Sequence, residues 1–261
     1  MFRKDLIKLA EETVSIISDK KYSISDKVIP CFVEDEYMRF KSPFEVNKEK
    51  NNKPATIEVR AESTIDAIHR MKNEKLGVLN FASAKNPCGG FLSGSRAQEE
   101  CLAYCSDLYI KQWPQAQDFY IKHRKLNFPL YTDDMFINKV VFFRDSDFNL
   151  IETPSYCKVL TSPAVNAGIA RNMNISEEDI QNTMKNRMRK ILNCFIEAEC
   201  ESIILGAFGC GVFQNSAESV SQFWKELLID EEYQYYFKNI CFSVIPIPEH
   251  NYNVFIEKFQ Q

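Results

Sequence analysis

Residues 76–100 read LGVLNFASAKNPCGGFLSGSRAQEE, and this stretch decides the fold. Residues 76–82 form a near-continuous apolar run, the pattern of a strand buried on both faces. Asn86, Pro87 and the glycines at 89, 90 and 94 then punctuate the chain as a turn. A helix over residues 98–111 follows, because Ala97, Cys101, Tyr104, Cys105 and Leu108 recur at helical spacing. Strand, glycine-rich turn and helix in that order place the turn at the carboxyl edge of a sheet. In open α/β sheets, that edge is where ligands bind.

The same alternation continues on both sides. Residues 56–60, 136–143, 156–160, 202–205 and 240–245 read as strands, and 64–73, 219–229 and the segment from 251 as helices. Ser176 and Asp179 form a capping box with Glu177 and Glu178 in the first turn, so a long helix should run from there to residue 199. Upstream, Leu6, Ile7, Leu9, Ala10, Val14 and Ile17 mark an amphipathic helix. A short strand over 28–33 and a hydrophilic loop over 48–54 follow it. The pattern predicts an α/β domain with a mostly parallel sheet over residues 56–261, preceded by an accessory extension over 1–55.

Composition excludes several alternatives. With 45% hydrophobic residues and a net charge of -4, the chain is neither disordered nor generally basic, so an anionic ligand must be held by local geometry. Nine cysteines without a C-x-x-C pair, and three scattered histidines, give no zinc-site spacing; no metal and no cofactor are expected. Free thiols and the lack of a signal peptide or membrane span predict a cytoplasmic protein, expected to be monomeric. There are only eight glycines where average usage gives roughly eighteen, and six of them fall in two clusters.

The second cluster is Gly206, Gly209 and Gly211 in GAFGCGVFQN, directly after the 202–205 strand. Both loops can present successive N–H groups to an anion such as a diphosphate. Phe208 and Phe213 are interleaved with the glycines; a ring at such an edge can stack on a nucleobase or pack in the core, and for Phe208 the core is the favoured reading. The first loop ends in two carboxylates. With Ser95 as N-cap and Gln98 closing its box, Glu100 lies about 80° from the centre of the apolar stripe and Glu99 nearly opposite, which makes Glu100 the inward candidate. Near a helix end a side chain also reaches past the terminus, so Glu99 stays a candidate.

These residues resemble the microbial-type poly(ADP-ribose) glycohydrolases (PARG), whose signature is G-G-G, six to eight residues, then Q-E-E; here the spacing is seven. The stretches LYTDDMF, VVFFRD and TSPAVNAG add to the likeness, which runs from about residue 56 onward. The resemblance implies a macrodomain-like, three-layer α/β/α fold with a mixed, mostly parallel sheet and an N-terminal helical extension. It implies Glu100 as general acid/base and Glu99 as its catalytic partner beside the scissile ribose. Asn86, Cys88, Gly89, Gly90, Phe91 and Gln98 would line the ligand from the first loop, and Gly209, Cys210, Gly211, Val212 and Phe213 from the second. The partners implied are ADP-ribose or poly(ADP-ribose) chains on modified macromolecules, with no membrane partner.

The implied reaction is hydrolysis of the ribose–ribose O-glycosidic bonds of the polymer. Two alternatives stay open: removal of single ADP-ribose groups from protein or nucleic-acid acceptors, and ADP-ribose binding without cleavage. One departure bears on the choice. Cys88 stands where the signature has its first glycine, read first as a harmless small-residue replacement, with altered substrate choice or a reactive thiol as the alternatives.

Overall fold

The computed structural model describes residues 2–72 and 75–260. A seven-stranded sheet runs through it, and a separate two-stranded hairpin forms near the start of the chain. The chain begins with α1 (Arg3–Asp19), the hairpin β1 (Lys21–Ile24) and β2 (Lys27–Pro30), and β3 (Tyr37–Phe40). Next come β4 (Thr56–Arg60), α2 (Thr64–Arg70), β5 (Leu76–Phe81), α3 (Gln98–Tyr104), α4 (Leu108–Gln112) and α5 (Lys122–Leu126). The long strands β6 (Met135–Arg144) and β7 (Leu150–Ser162) lead into α6 (Ala167–Asn172) and α7 (Glu177–Glu197). β8 (Ser202–Leu205), α8 (Ala217–Lys225), β9 (Asn239–Ser243) and α9 (Glu249–Phe259) complete the chain.

In the main sheet the order is β3-β6-β7-β5-β8-β9-β4. The pairs β3–β6 and β6–β7 are antiparallel, and the four pairs from β7 to β4 are parallel. The sheet is thus mixed and mostly parallel, in the middle of a three-layer α/β/α sandwich. Strand alternation decides which layer each residue supports. Leu79, Ile203, Leu205, Ile240 and Phe242 join the core under α7, α8 and α9, whereas Leu76, Val78, Ile204 and Cys241 join the core with α1, α2 and α3.

Most elements form where the sequence places them. Ser63 and Ser176 cap α2 and α7, accepting from the backbone N–H of Asp66 and Asp179 at 3.1 Å each. The expected helix over 98–111 is broken in two. Phe142 pairs with Ser106, and the Asp107 carboxylate accepts from Val141 N at 3.0 Å, so the neighbouring strand β6 pulls the chain out of the helix between α3 and α4. Asn73, the last residue of the expected 64–73 helix, lies outside the described residues.

Helix α1 and strand β3, ahead of β4, are built into the same layers. Leu6, Leu9 and Ala10 of α1 share a core with Phe91 and Leu102, and β3 forms one edge of the main sheet. The buried face of α1 is Leu6, Leu9, Ala10, Thr13 and Ile16; Ile7, Val14 and Ile17 flank it half-buried. No helix among the described residues is long and apolar enough to cross a membrane.

Candidate active site

Both glycine loops leave the carboxyl edge of neighbouring parallel strands, β5 and β8, and together they line a cavity of about 970 Å³. Residues after β9, including Val244 and Ile245, extend it sideways, and Glu62 and Thr64 at the start of α2 close that end.

Glu99 and Glu100 lie in the first turn of α3, where the helix has N–H groups without intrahelical partners. Both side chains turn inward and are only 3% and 8% exposed. Glu100 is held from two sides: Oε2 accepts from Ala97 N at 3.0 Å and Oε1 from Gly90 N at 2.8 Å. Glu99 Oε2 accepts from Ser83 N at 2.7 Å, and its Oε1 from Asn80 Nδ2 at 3.0 Å. Gly89 presses on both carboxylates. A Cβ there would run into Glu100 Oε1 and stand 3.2 Å from Glu99 Oε2, on a backbone at φ +55°.

Gln98 extends the strand edge. Its Oε1 accepts from Phe81 N and its Nε2 donates to Leu79 O, both at 2.9 Å, as a neighbouring strand would. Burial pushes the Glu99 carboxyl up to about 8; the Ser83 N–H and the Asn80 amide pull it down, and the Glu100 charge pushes it up. A carboxyl so raised beside a second one retains a proton near neutral pH, the condition for general acid work.

Across the cavity, Asn215 Nδ2 anchors the second loop by donating to Val165 O at 2.8 Å and Gly209 O at 3.1 Å. Gly209, Cys210, Gly211, Val212 and Phe213 line the cavity. Phe213 is half-buried with its ring 6.1 Å from Tyr131, and Phe208 is wholly buried against Phe81 as a core residue. Asn86 stands exposed at the rim, its Oδ1 accepting from Arg124 Nη2 at 3.1 Å. No group of three or more His, Cys, Asp or Glu side chains placed to hold a metal ion occurs among the described residues.

The family model for the microbial-type PARG catalytic domain matches residues 8–145, more than half of the chain, including the whole first loop and both carboxylates. The chain belongs to the microbial-type PARG family. Solved structures agree. The poly(ADP-ribose) glycohydrolase of Thermomonospora curvata is 30% identical with a TM-score of 0.87, over 98% of this chain and 100% of that one. The same enzyme bound to the inhibitor ADP-HPD gives 30% and 0.86 over the same shares. The poly(ADP-ribose) glycohydrolase of Deinococcus radiodurans in complex with ADP-ribose is 30% identical with a TM-score of 0.73, over 97% of this chain and 92% of that one. No curated protein matches the sequence.

Set against the PARG signature, two expected ligand contacts move into the core. Cys88 is fully buried and does not line the cavity, so its thiol is out of reach of a ligand, and burial pushes it well above the usual range. Its backbone does take the left-handed conformation expected of the signature glycine, at φ +50°. Phe91 is 1% exposed and packs between Tyr104 and Tyr109, with centroids 5.1 and 5.3 Å away.

Two local expectations are also corrected. Ser95 is not the N-cap of α3; Ala97 holds that position and the Glu100 carboxylate does the capping. Glu99 does not point away from the core, because so close to the helix start its side chain reaches past the terminus to Ser83. Of the residues that position this PARG site, Asn80, Ser83, Gln112 and Arg124 escaped the sequence reading. Asn80 left a trace, as the one polar side chain inside the apolar run of β5.

Proposed function

We propose that the protein hydrolyses the ribose–ribose O-glycosidic bonds of poly(ADP-ribose) and releases ADP-ribose. One observation carries this reading: the buried pair Glu99 and Glu100 on the cavity wall, with both oxygens of Glu100 held by backbone N–H groups. A module that only binds ADP-ribose has no use for two carboxylates buried together, since each costs desolvation. The complexes of the related glycohydrolases with ADP-ribose and ADP-HPD support the choice of ligand.

In this reading the diphosphate lies between the Gly89–Gly90 turn, whose own N–H groups are taken by Asn86 O and Glu100, and the N–H groups of the loop from Gly209 to Phe213. Phe213 packs against the adenosine or its ribose, and Asn86 borders the distal ribose. Glu100 donates the proton held by the pair to the leaving oxygen as the bond to the anomeric carbon breaks through an oxocarbenium-like transition state. The carboxylate then takes a proton from water as that water adds to the anomeric carbon, which restores the acid. Glu99, fixed by Ser83 and Asn80, holds the ribose beside it.

The catalytic domain is macrodomain-like, with residues 56–261 carrying both loops; the segment before residue 56 adds the edge strand β3 and braces the first loop through α1. The nine free cysteines support a reducing, cytoplasmic setting, and the chain is read as a monomer. The test is Glu100→Gln. ADP-ribose binding, measured by calorimetry, should persist, while release of ADP-ribose from the polymer falls by about 10²–10⁴-fold. Retained turnover rejects the assignment.

A further inference from the structure

Gln112, the last residue of α4, does not line the cavity and is wholly buried. Its Oε1 accepts from Cys88 N at 2.6 Å and from the Tyr120 hydroxyl at 2.8 Å. Its Nε2 donates to Thr161 Oγ1 at 3.1 Å and reaches Glu99 Oε1 at 3.4 Å. A backbone N–H can only donate, so Cys88 fixes which end of the amide is oxygen. The amino end is thereby turned toward Glu99.

The bond to Cys88 falls where the backbone needs it. Cys88 sits at φ +50°, a region that residues with a Cβ seldom enter, and Gly89 follows at φ +55°. Gly89 packs on both carboxylates and Gly90 N–H donates to Glu100, so the path of residues 88–90 sets where the two acids stand.

We infer that Gln112 is a positioning residue for hydrolysis: through one amide it keeps Cys88 in the left-handed conformation that presents Gly89 and Gly90 to Glu100, and it orients Glu99. This rests on the glycohydrolase reading above. Gln112→Met removes both arms. Gln112→Glu is isosteric and keeps the acceptor for Cys88 and Tyr120 while losing the donor toward Glu99. Glycine takes the left-handed conformation without support, so Cys88→Gly should relieve the first arm alone.

The experiment measures steady-state release of ADP-ribose from poly(ADP-ribose), with ADP-ribose affinity and thermal unfolding measured in parallel, for both Gln112 variants with and without Cys88→Gly. Gln112→Met is expected to lower kcat on the order of 10²-fold, with ADP-ribose affinity changed by less than about threefold. Adding Cys88→Gly should recover roughly tenfold of that loss. Gln112→Glu should also lose turnover, and Cys88→Gly should restore none of it; this isosteric variant carries the test if Gln112→Met does not fold. Turnover of Gln112→Met within about threefold of wild type overturns the inference alone, as does a loss that Cys88→Gly leaves untouched. Wild-type protein that releases no ADP-ribose overturns the glycohydrolase reading, and the inference with it.

Discussion

The two glycine loops leave adjacent strands of one sheet and face one cavity, yet they are held in opposite ways. The first is bound along its whole length: Ser83 N to Glu99, Cys88 N to Gln112, Gly90 N and Ala97 N to Glu100, and Arg3 Nε to Ser93 O at 2.8 Å. The second is tied at its base by Asn215, but its tip is open. Val212 is 84% exposed, and a Cβ on Gly211 would meet nothing within 4 Å. The contrast follows the work proposed for each loop. Proton transfer tolerates little displacement of a carboxylate, whereas a diphosphate needs only N–H groups that can close on it.

The strongest way to break this contrast, after Glu100→Gln, is Gly89→Ala. Its methyl group meets the Glu100 carboxylate on a left-handed backbone, so polymer cleavage should fall on the order of 10²-fold. A turnover assay showing less than a few-fold loss would mean the first loop is softer than its bonds imply.

A second test uses pH. Because burial lifts Glu99 to about 8, cleavage should decline as pH rises through that value and the pair loses its proton. The same shift has a cost in stability. The folded chain binds this proton more tightly than the unfolded chain, whose carboxyl titrates near 4.5, so stability is lost as pH climbs from about 4.5 to about 8. Glu99→Gln removes that loss. Its gain in melting temperature over wild type should be larger at pH 8 than at pH 4.5, and a gain equal at both would contradict the raised carboxyl.

Gly94→Ala probes the bracing of the first loop from outside. The new Cβ would stand 2.6 Å from Arg3 O and 3.1 Å from Ile7 Cγ1, forcing α1 off the loop at about 1–3 kcal/mol. Thermal unfolding should register it, with turnover reduced alongside. The smallest effect is expected at Gly211→Ala. It should leave the melting temperature unchanged and weaken ADP-ribose a few-fold by calorimetry, since the methyl group can meet only the ligand.

Much of the fold was legible because the signals were local. β4 and β8 form over the residues their apolar patterns mark, and Ser176 starts α7 through the bond its spacing announces. The break between α3 and α4 was not legible. Neither glycine nor proline marks it, the apolar stripe runs through it unbroken, and its cause is strand β6, more than 30 residues downstream.

The site divides in the same way. The residues Gln98, Glu99 and Glu100 could be named from the family signature, and the wheel that turned Glu99 outward fails, as allowed for a helix end, because a first turn lacks the helical neighbours it assumes. Cys88 and Phe91 sit among ligand-facing residues in sequence and beneath them in space. Gln112 carries no pattern at all, since its role exists only where α4 returns under the loop.

The contact between α1 and the first loop also offers an optical handle. Phe2 is 84% exposed, one residue from the arginine that grips Ser93, so a dye attached at position 2 would sit beside the loop that carries the acid without entering the cavity. Its fluorescence would stay nearly constant on ligand binding if the first loop is as firmly held as its bonds imply, and would report any displacement in real time, with no labelled substrate required.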